Sequence, residues 1–596
     1  MHAKARRSAR RRTAIVGAAV AVIVAGFAVR LVDIQVVNAQ EHLDNRAAYS
    51  GIGFSQVLSG TRGSIVDGEG TVLASSTTQY SAQFDPVHVK DIEHVDEDGR
   101  EYTVTWEESA ADIGEIVGRS GDEVQAIVAD ALAADAASQY ALLADDLTTQ
   151  QYRELTALGL PYLSFHPVQS RAYPYGAVAG NLIGFVGDDG EPLAGYEAAE
   201  NTCLQATDGS LTYQQGSDGL IIPGTEVTEA PVDGGTLQLT LDADLQWYMQ
   251  QMIAEETQNQ QAQAGAVMVV EVATGAVRAA AEYPTVDPND PTAVDADDRG
   301  SRIFSRTFEP GSTFKAVTAA TLLDQGAATP YTSVTASGHE AFPNGAVVGD
   351  SFQHAAFNYT LTGALIDSSN VALSKFGELV PDETRYEYLQ KFGVGTKTDI
   401  GFPGEEPGLI YPPDQWGAQG HYATTFGQAF TTTMPQVVNA YQTLANDGVR
   451  EPLHIVESCT KPDGTVTKPE LSEPRRVVSE EAADTTIRLL ENVATQGSLA
   501  PAVAVDGYRI GTKTGTAQKS DGHGGYKAGL YFTSIIGVVP ADDPQYIVMV
   551  TLDEPTRVTS SAATAPALQK AVTQVVKNYR VMPSEKTEEP LPKFAE

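Results

Sequence analysis

A chain of 596 residues is too long for one compact domain, and 42% apolar with 19% charged residues is a globular composition able to bury a sizeable core. A net charge of −38 excludes nucleic acid as a partner, because phosphate binding needs clustered Lys and Arg. Two cysteines exclude a disulfide scaffold, and the ten histidines include no His-Glu-x-x-His. Neither a Gly-x-Gly-x-x-Gly unit nor a phosphate loop occurs, so no metal and no cofactor is expected.

Residues 1–12 hold Lys4, Arg6, Arg7, Arg10, Arg11 and Arg12 and read as a cytoplasmic tail. The apolar run that follows, 13–32 with Arg30 snorkelling, reads as a single-pass membrane anchor. With the basic block on its N-terminal side, everything beyond is expected outside the cytoplasm. A cleaved signal peptide is the competing reading. Its cleavage site, Val37-Asn38-Ala39, is poor, and Arg30 and Asp33 intervene.

Residues 33–235 read as a mixed α/β region. Gly63-Ser64-Ile65-Val66 is β-like, Asp67-Gly68-Glu69-Gly70 resembles a hairpin tip, and helices are expected from Ser109 to Leu158. The character changes at 236, and 236–580 reads as a second domain. Thr236 to Leu241 alternates as a strand, Asp244 to Gln258 is helical, and 266–270 with 275–279 form a strand pair. Helices then dominate around Gly311–Leu323 and Gly363–Glu378, before strands at 508–519, 531–539 and 545–552. Strands at both ends with helices between predict an α+β domain whose sheet is closed by its own termini. Residues 581–596, rich in Pro and Glu, are expected to be disordered.

Three short patterns in the second domain carry chemistry. Ser312-Thr313-Phe314-Lys315 follows the chain-breaking Pro310-Gly311, so a helix is expected to begin near Ser312 and to set Lys315 one turn away. A serine becomes a nucleophile when a base is near, and a lysine serves if burial or a second cation lowers its pKa. The same pattern at Ser458-Cys459-Thr460-Lys461 runs into Pro462-Asp463-Gly464 and reads as a hairpin arm. Ser368-Ser369-Asn370 is by itself a helix N-cap before Val371. Its functional reading gives Ser368 a hydroxyl for proton relay and Asn370 an amide for substrate and lysine. Lys513-Thr514-Gly515-Thr516 reads as a polar edge strand. There Gly515 would let a substrate backbone approach, Lys513 would be the second cation, and Thr514 and Thr516 would offer hydroxyls to a carboxylate.

Each pattern alone is weak. In this order, separated by 56 and 145 residues, they resemble the penicillin-recognising serine enzymes. Arg62-Gly63-x-Ile65-x-Asp67, Arg171-x-Tyr173-Pro174, Gly195-Tyr196-Glu197, Thr240-Leu241-Asp242, Asn289-x-Pro291 and Phe426-Gly427-Gln428 extend the likeness to class B penicillin-binding proteins over most of the chain. Pro192, Ala206 and Ala429 depart from glycines common there. The fold class so implied is α+β: an N-terminal membrane helix, an elongated mixed α/β pedestal of the dimerisation type, and a C-terminal transpeptidase domain with an antiparallel sheet flanked by helices.

The resemblance implies a peptidoglycan D,D-transpeptidase acting on stem peptides ending in D-Ala-D-Ala. Ser312 would be the nucleophile and Lys315 the base. Ser368, Asn370 and Lys513 would complete the catalytic set, and Thr514, Gly515 and Thr516 would bind substrate. Backbone N–H groups of Ser312 and Thr516 would form the oxyanion hole. β-Lactams would acylate Ser312. The stretches Tyr388 to Gly393 and Gly401 to Glu405 look more like division-type relatives, with a membrane-embedded glycosyltransferase of the shape, elongation and division family as partner. A D,D-carboxypeptidase uses the same residues, and an idle β-lactam-binding scaffold is the reading from outside enzymes. Cys203 and Cys459 would face an oxidising compartment, but they fall in different expected domains, which disfavours a bridge.

Overall fold

The computed structural model describes residues 53–95, 100–187, 189–214, 221–520, 525–584 and 588–596, together with Ala25 and Phe27. The expected anchor at 13–32 otherwise lies outside the described residues. Among those described, no helix is long and apolar enough to cross a membrane.

Two compact units result. In the smaller, formed by the described residues up to Gly60 and by Ala206–Val232, strands Gly53–Leu58, Gly209–Gln214 and Val227–Glu229 make an antiparallel sheet. The larger comprises Thr61–Gln205 and Asp233–Glu596.

Within the larger unit, one sheet is built around the long strand Val72–Phe84, which pairs with Ile65–Val66, Ala141–Leu147 and Leu163–Ala172. The expected hairpin tip forms, with the Asp67 carboxylate accepting from the backbone N–H groups of Glu69 and Thr71 at 2.9 and 2.7 Å. Helices Trp106–Val117 and Gly121–Ala134 each open on a capping box, Thr105 with Glu108 and Ser120 with Glu123. The helical expectation fails at Ala141–Leu147. Leu143 and Leu147 alternate inward there because pairing with Val72–Phe84 overrides local propensity.

The expected domain boundary between 235 and 236 falls just before a strand that pairs across it. Strand Thr236–Leu239 pairs parallel with Ile65–Val66 and antiparallel with Val456–Thr460, so the element expected to open the second domain belongs to the sheet of the first. Alternation reveals a strand but not its partners. The hairpin read at Ser458–Lys461 is present and extends this sheet, with the Lys461 N–H donating to Thr465 O. Its strand carries Cys459 to within 6.0 Å (Cα to Cα) of Cys203, and the two form a disulfide, against the expectation.

The second sheet is antiparallel. Its strands are β1 (Ala264–Glu271), β2 (Val277–Tyr283), β3 (Gly511–Ser520), β4 (Tyr526–Val539) and β5 (Tyr546–Asp553), in the spatial order β2-β1-β5-β4-β3. Side chains alternate between its faces with period two. Val267, Val269, Val548 and Val550 meet Met249, Ile253, Leu568 and Val572 from α1 (Ala243–Asn259) and the late helix Ala565–Asn578. Met268, Val270, Ile547 and Met549 share a core with α2 (Lys315–Asp324), α3 (Met434–Ala445) and α4 (Glu480–Gln496). Strands close to the start and end of 236–580 thus pair, and β3 is left as an edge.

The disorder expected for 581–596 is also overturned for the described residues 588–596. Leu591 is 3% exposed in a core with Ile366, Leu489 and Val493, and the Phe594 ring lies 5.0 Å from Phe357 and 5.2 Å from Tyr359. Composition averaged over Pro and Glu hides two apolar anchors.

Candidate active site

Pro310 and Gly311 end an extended segment, and a 3-10 turn, Gly311–Phe314, leads directly into α2. Ser312 sits half-buried on that turn, and Lys315, fully buried, is the first residue of the α-helix. The Tyr441 hydroxyl fixes the turn by donating to Thr313 O at 2.7 Å. Glu309, just before it, accepts from the Ala429 N–H at 2.9 Å and from the Tyr526 hydroxyl at 3.0 Å. Burial holds the Glu309 carboxyl above the usual range.

The second pattern falls at a break between two helices, Leu361–Ile366 and Asn370–Gly377. Ser369 caps the latter by accepting from the Ala372 N–H at 2.9 Å. The capping role and the chemical role therefore belong to different serines. Ser368 adopts left-handed backbone geometry, φ 55°, and its Oγ accepts from Lys315 Nζ at 3.2 Å and from Lys513 Nζ at 3.0 Å. Lys315 also donates to Ser368 O. Asn370 donates its amide to Gly349 O at 3.0 Å, and among the described residues no hydrogen bond joins it to either lysine.

The third pattern lies on the edge strand β3. Lys513 is fully buried, Thr514 is half-buried and Thr516 is exposed, with its Oγ1 accepting from the Ser561 N–H at 3.1 Å. Gly515 is buried. A Cβ there would lie 2.4 Å from Ser534 Oγ and 3.1 Å from Thr313 Cγ2, so close packing of β3 on the nucleophile turn requires the glycine.

Both lysines are starved of solvent. Burial first, and then the neighbouring Lys513 charge, hold the Lys315 amine far below its ordinary range, while Asp350 opposes this. Burial pushes Lys513 down to about 7. Three groups from distant stretches thus form one hydrogen-bonded chain, in which burial favours the neutral form of both amines.

Sequence reasoning missed the support beneath this chain. Asp350 accepts from Ser369 Oγ at 2.6 Å and from the Val371 N–H at 3.0 Å, and it pairs with His354 at 2.9 Å. A turn-rich stretch with one Asp and one His carried no spacing signal. Elsewhere in the larger unit, four motifs of the likeness converge. Glu197 accepts from Arg62 and Arg171 at 2.7 Å each and from the Tyr173 hydroxyl at 3.4 Å, while Asn289 exchanges two hydrogen bonds with the Tyr173 backbone.

Comparison with known proteins agrees with this geometry. Residues 265–573 match the penicillin-binding protein transpeptidase domain and residues 57–239 the penicillin-binding protein dimerisation domain. The chain is 37% identical to penicillin-binding protein PbpB of Mycolicibacterium smegmatis over 69% of its own length and 65% of that protein's. A PbpB of Mycobacterium tuberculosis is matched over 58% of its length, so the chain spans less than two thirds of these relatives. It is 29% identical to the probable peptidoglycan D,D-transpeptidase PenA of Neisseria meningitidis over 91% of this chain and 88% of that one. Among solved structures, penicillin-binding protein 3 of M. tuberculosis complexed with aztreonam superimposes with a TM-score of 0.69 at 27% identity, covering 91% of this chain and all of that one. With the transpeptidase model matched across the segment that holds all three sequence patterns, the chain belongs to the penicillin-binding protein transpeptidase family.

Proposed function

We propose that this protein is a serine D,D-transpeptidase that cross-links peptidoglycan stem peptides through an acyl-enzyme on Ser312, in septal wall synthesis. One observation carries the reading: two fully buried lysines, one a single turn after Ser312, converge on the Ser368 hydroxyl. The names PbpB and PenA borne by its relatives support it.

In the reaction, Lys315 takes the Ser312 hydroxyl proton as Oγ bonds to the penultimate carbonyl of a stem peptide ending in D-Ala-D-Ala. Backbone N–H groups of Ser312 and Thr516 stabilise the oxyanion. The C–N bond to the terminal D-Ala breaks, and Ser368 passes the proton to the departing amine. Lys513, Thr514 and Thr516 bind the terminal carboxylate, and Asn370 holds the donor amide. An amine of a neighbouring stem then attacks the ester, loses its proton to Lys315, and regenerates Ser312. β-Lactams acylate the same hydroxyl.

The protein is read as a single-pass cell-membrane protein with a cytoplasmic N-terminus and an extracytoplasmic catalytic domain, on the basic block at 4–12 and the apolar run 13–32. A membrane-embedded glycosyltransferase of the shape, elongation and division family is its partner on this reading. Retention of both proteins on one affinity column from detergent extract tests the pair, and loss of either from the eluate rejects it.

Intact-mass spectrometry after incubation with penicillin, with peptide mapping, tests the chemistry. A stable adduct on Ser312, absent from Ser312→Ala, is expected. No adduct on folded protein would favour the idle scaffold. A stem-peptide assay with an added acceptor amine then separates cross-linking from hydrolysis by a carboxypeptidase.

A further inference from the structure

The helix Leu361–Ile366 ends at Asp367, the residue before Ser368, and its outer side is covered by the segment 588–596. Several contacts fasten that segment. Glu588 pairs with Arg488 at 2.8 Å, and the Leu591 N–H donates to Asn492 Oδ1 at 2.8 Å. Thr360 meets the strap with both its groups, the hydroxyl donating to Pro592 O at 2.6 Å and the N–H to Lys593 O at 3.2 Å. The approach is so close that a Cβ on Gly363 would lie 1.8 Å from Lys593 O.

The end of the segment reaches the catalytic turn. Lys593 Nζ pairs with one Asp367 carboxylate oxygen at 2.5 Å, and the buried Tyr359 hydroxyl donates to the other at 3.0 Å. Phe594 packs on Tyr359, and the Ala595 N–H donates to Asn358 O at 2.9 Å. The residue immediately before the left-handed Ser368 is thereby gripped from both sides. Left-handed geometry at a non-glycine residue carries strain and persists where the surroundings over-determine it.

We propose that the segment 588–596 is a positioning strap for the proton-relay turn, in which Lys593, through its ion pair with Asp367, holds Ser368 in register with Lys315 and Lys513. Lys593 touches neither substrate nor reacting atoms. It acts through Asp367, and the inference rests on the acyl-enzyme reading of Ser312.

The test is the second-order rate of acylation of the full chain by a fluorescent penicillin, measured well below each variant's melting temperature. Lys593→Met is expected to slow acylation about five- to tenfold, and Lys593→Arg, which keeps the charge, to restore it to within about twofold. A chain stopped after Ser584 is expected to be at least as slow as Lys593→Met. A merely structural strap would lower the melting temperature and leave the rate below it unaltered. That result, or slowing that Lys593→Arg does not rescue, overturns the proposal. If the shortened chain does not fold, the two point variants decide. Absence of labelling in the unaltered chain would instead remove the Ser312 reading, and the strap with it.

Discussion

Lys513 Nζ donates to Ser368 Oγ at 3.0 Å although the two residues stand 145 positions apart, one on a sheet edge and the other in a break between helices. The contact sets Lys513 beside the amine of Lys315, which also reaches Ser368 Oγ, at 3.2 Å. Burial first, and then the cost of protonating two amines that share one hydroxyl, hold the Lys315 amine well below its ordinary range and so favour its neutral form.

That cost has a sign. A lysine held at about 7 when folded, against an ordinary value near ~10.4, binds its proton more weakly folded than unfolded. The penalty on stability is fully present below about 7 and fades as pH rises toward the unfolded value. Lys513→Met is therefore expected to raise the melting temperature most near about pH 6, with the gain shrinking toward about pH 10. Acylation in this variant should collapse, and what remains should rise at higher pH than before, because loss of the Lys513 charge lifts Lys315. Thermal melts and acylation rates across pH check both; a gain in stability that does not vary with pH would contradict the assignment.

Asp350 should matter as much as the recognised motifs. Asp350→Ala removes acceptors for Ser369, Val371 and His354 at once. A loss of about 2–4 kcal/mol in stability is expected, from charged hydrogen bonds broken at a buried site. Acylation should fall by about tenfold or more as the Ser368 turn loosens. Denaturant melts with penicillin labelling measure the two, and an unaffected labelling rate would show that the turn holds without it.

At the meeting of four sequence motifs, Glu197 is fully buried between Arg62 and Arg171. Glu197→Ala leaves two guanidinium groups facing a void and is expected to cost about 3–5 kcal/mol, read as a lower denaturation midpoint. Penicillin labelling of the protein that remains folded should change little.

The Cys203–Cys459 bridge joins the helix Asn201–Leu204 to a strand 256 residues on. Replacing both cysteines with alanine is expected to lower stability by about 2–4 kcal/mol. Thiol titration of the unfolded chain with and without reductant checks the bridge itself: two free thiols should appear only after reduction.

The sequence by itself determined the family. Ser312 with Lys315, Ser368 with Asn370, and Lys513 to Thr516 are local patterns whose order identifies a family, and local patterns survive in one dimension. The alternating strands of the central sheet were legible for the same reason, since Val267 to Val270 declare two faces by period alone. Long-range partners decided the rest. Thr236–Leu239 reads as a strand in any context, yet only its pairing with Ile65–Val66 assigns it to the first sheet. Nothing near Cys203 announces Cys459. The N-cap reading of Ser368-Ser369-Asn370 was right for Ser369, but which serine capped and which met the lysines depended on a left-handed φ that propensity does not encode. Residues 588–596 look disordered by composition, and they are ordered because Leu591 and Phe594 find a surface that exists only after the chain has folded. Periodicity and capping are written along the chain, whereas pairing, burial and the lowered pKa of a lysine arise from neighbours that folding supplies.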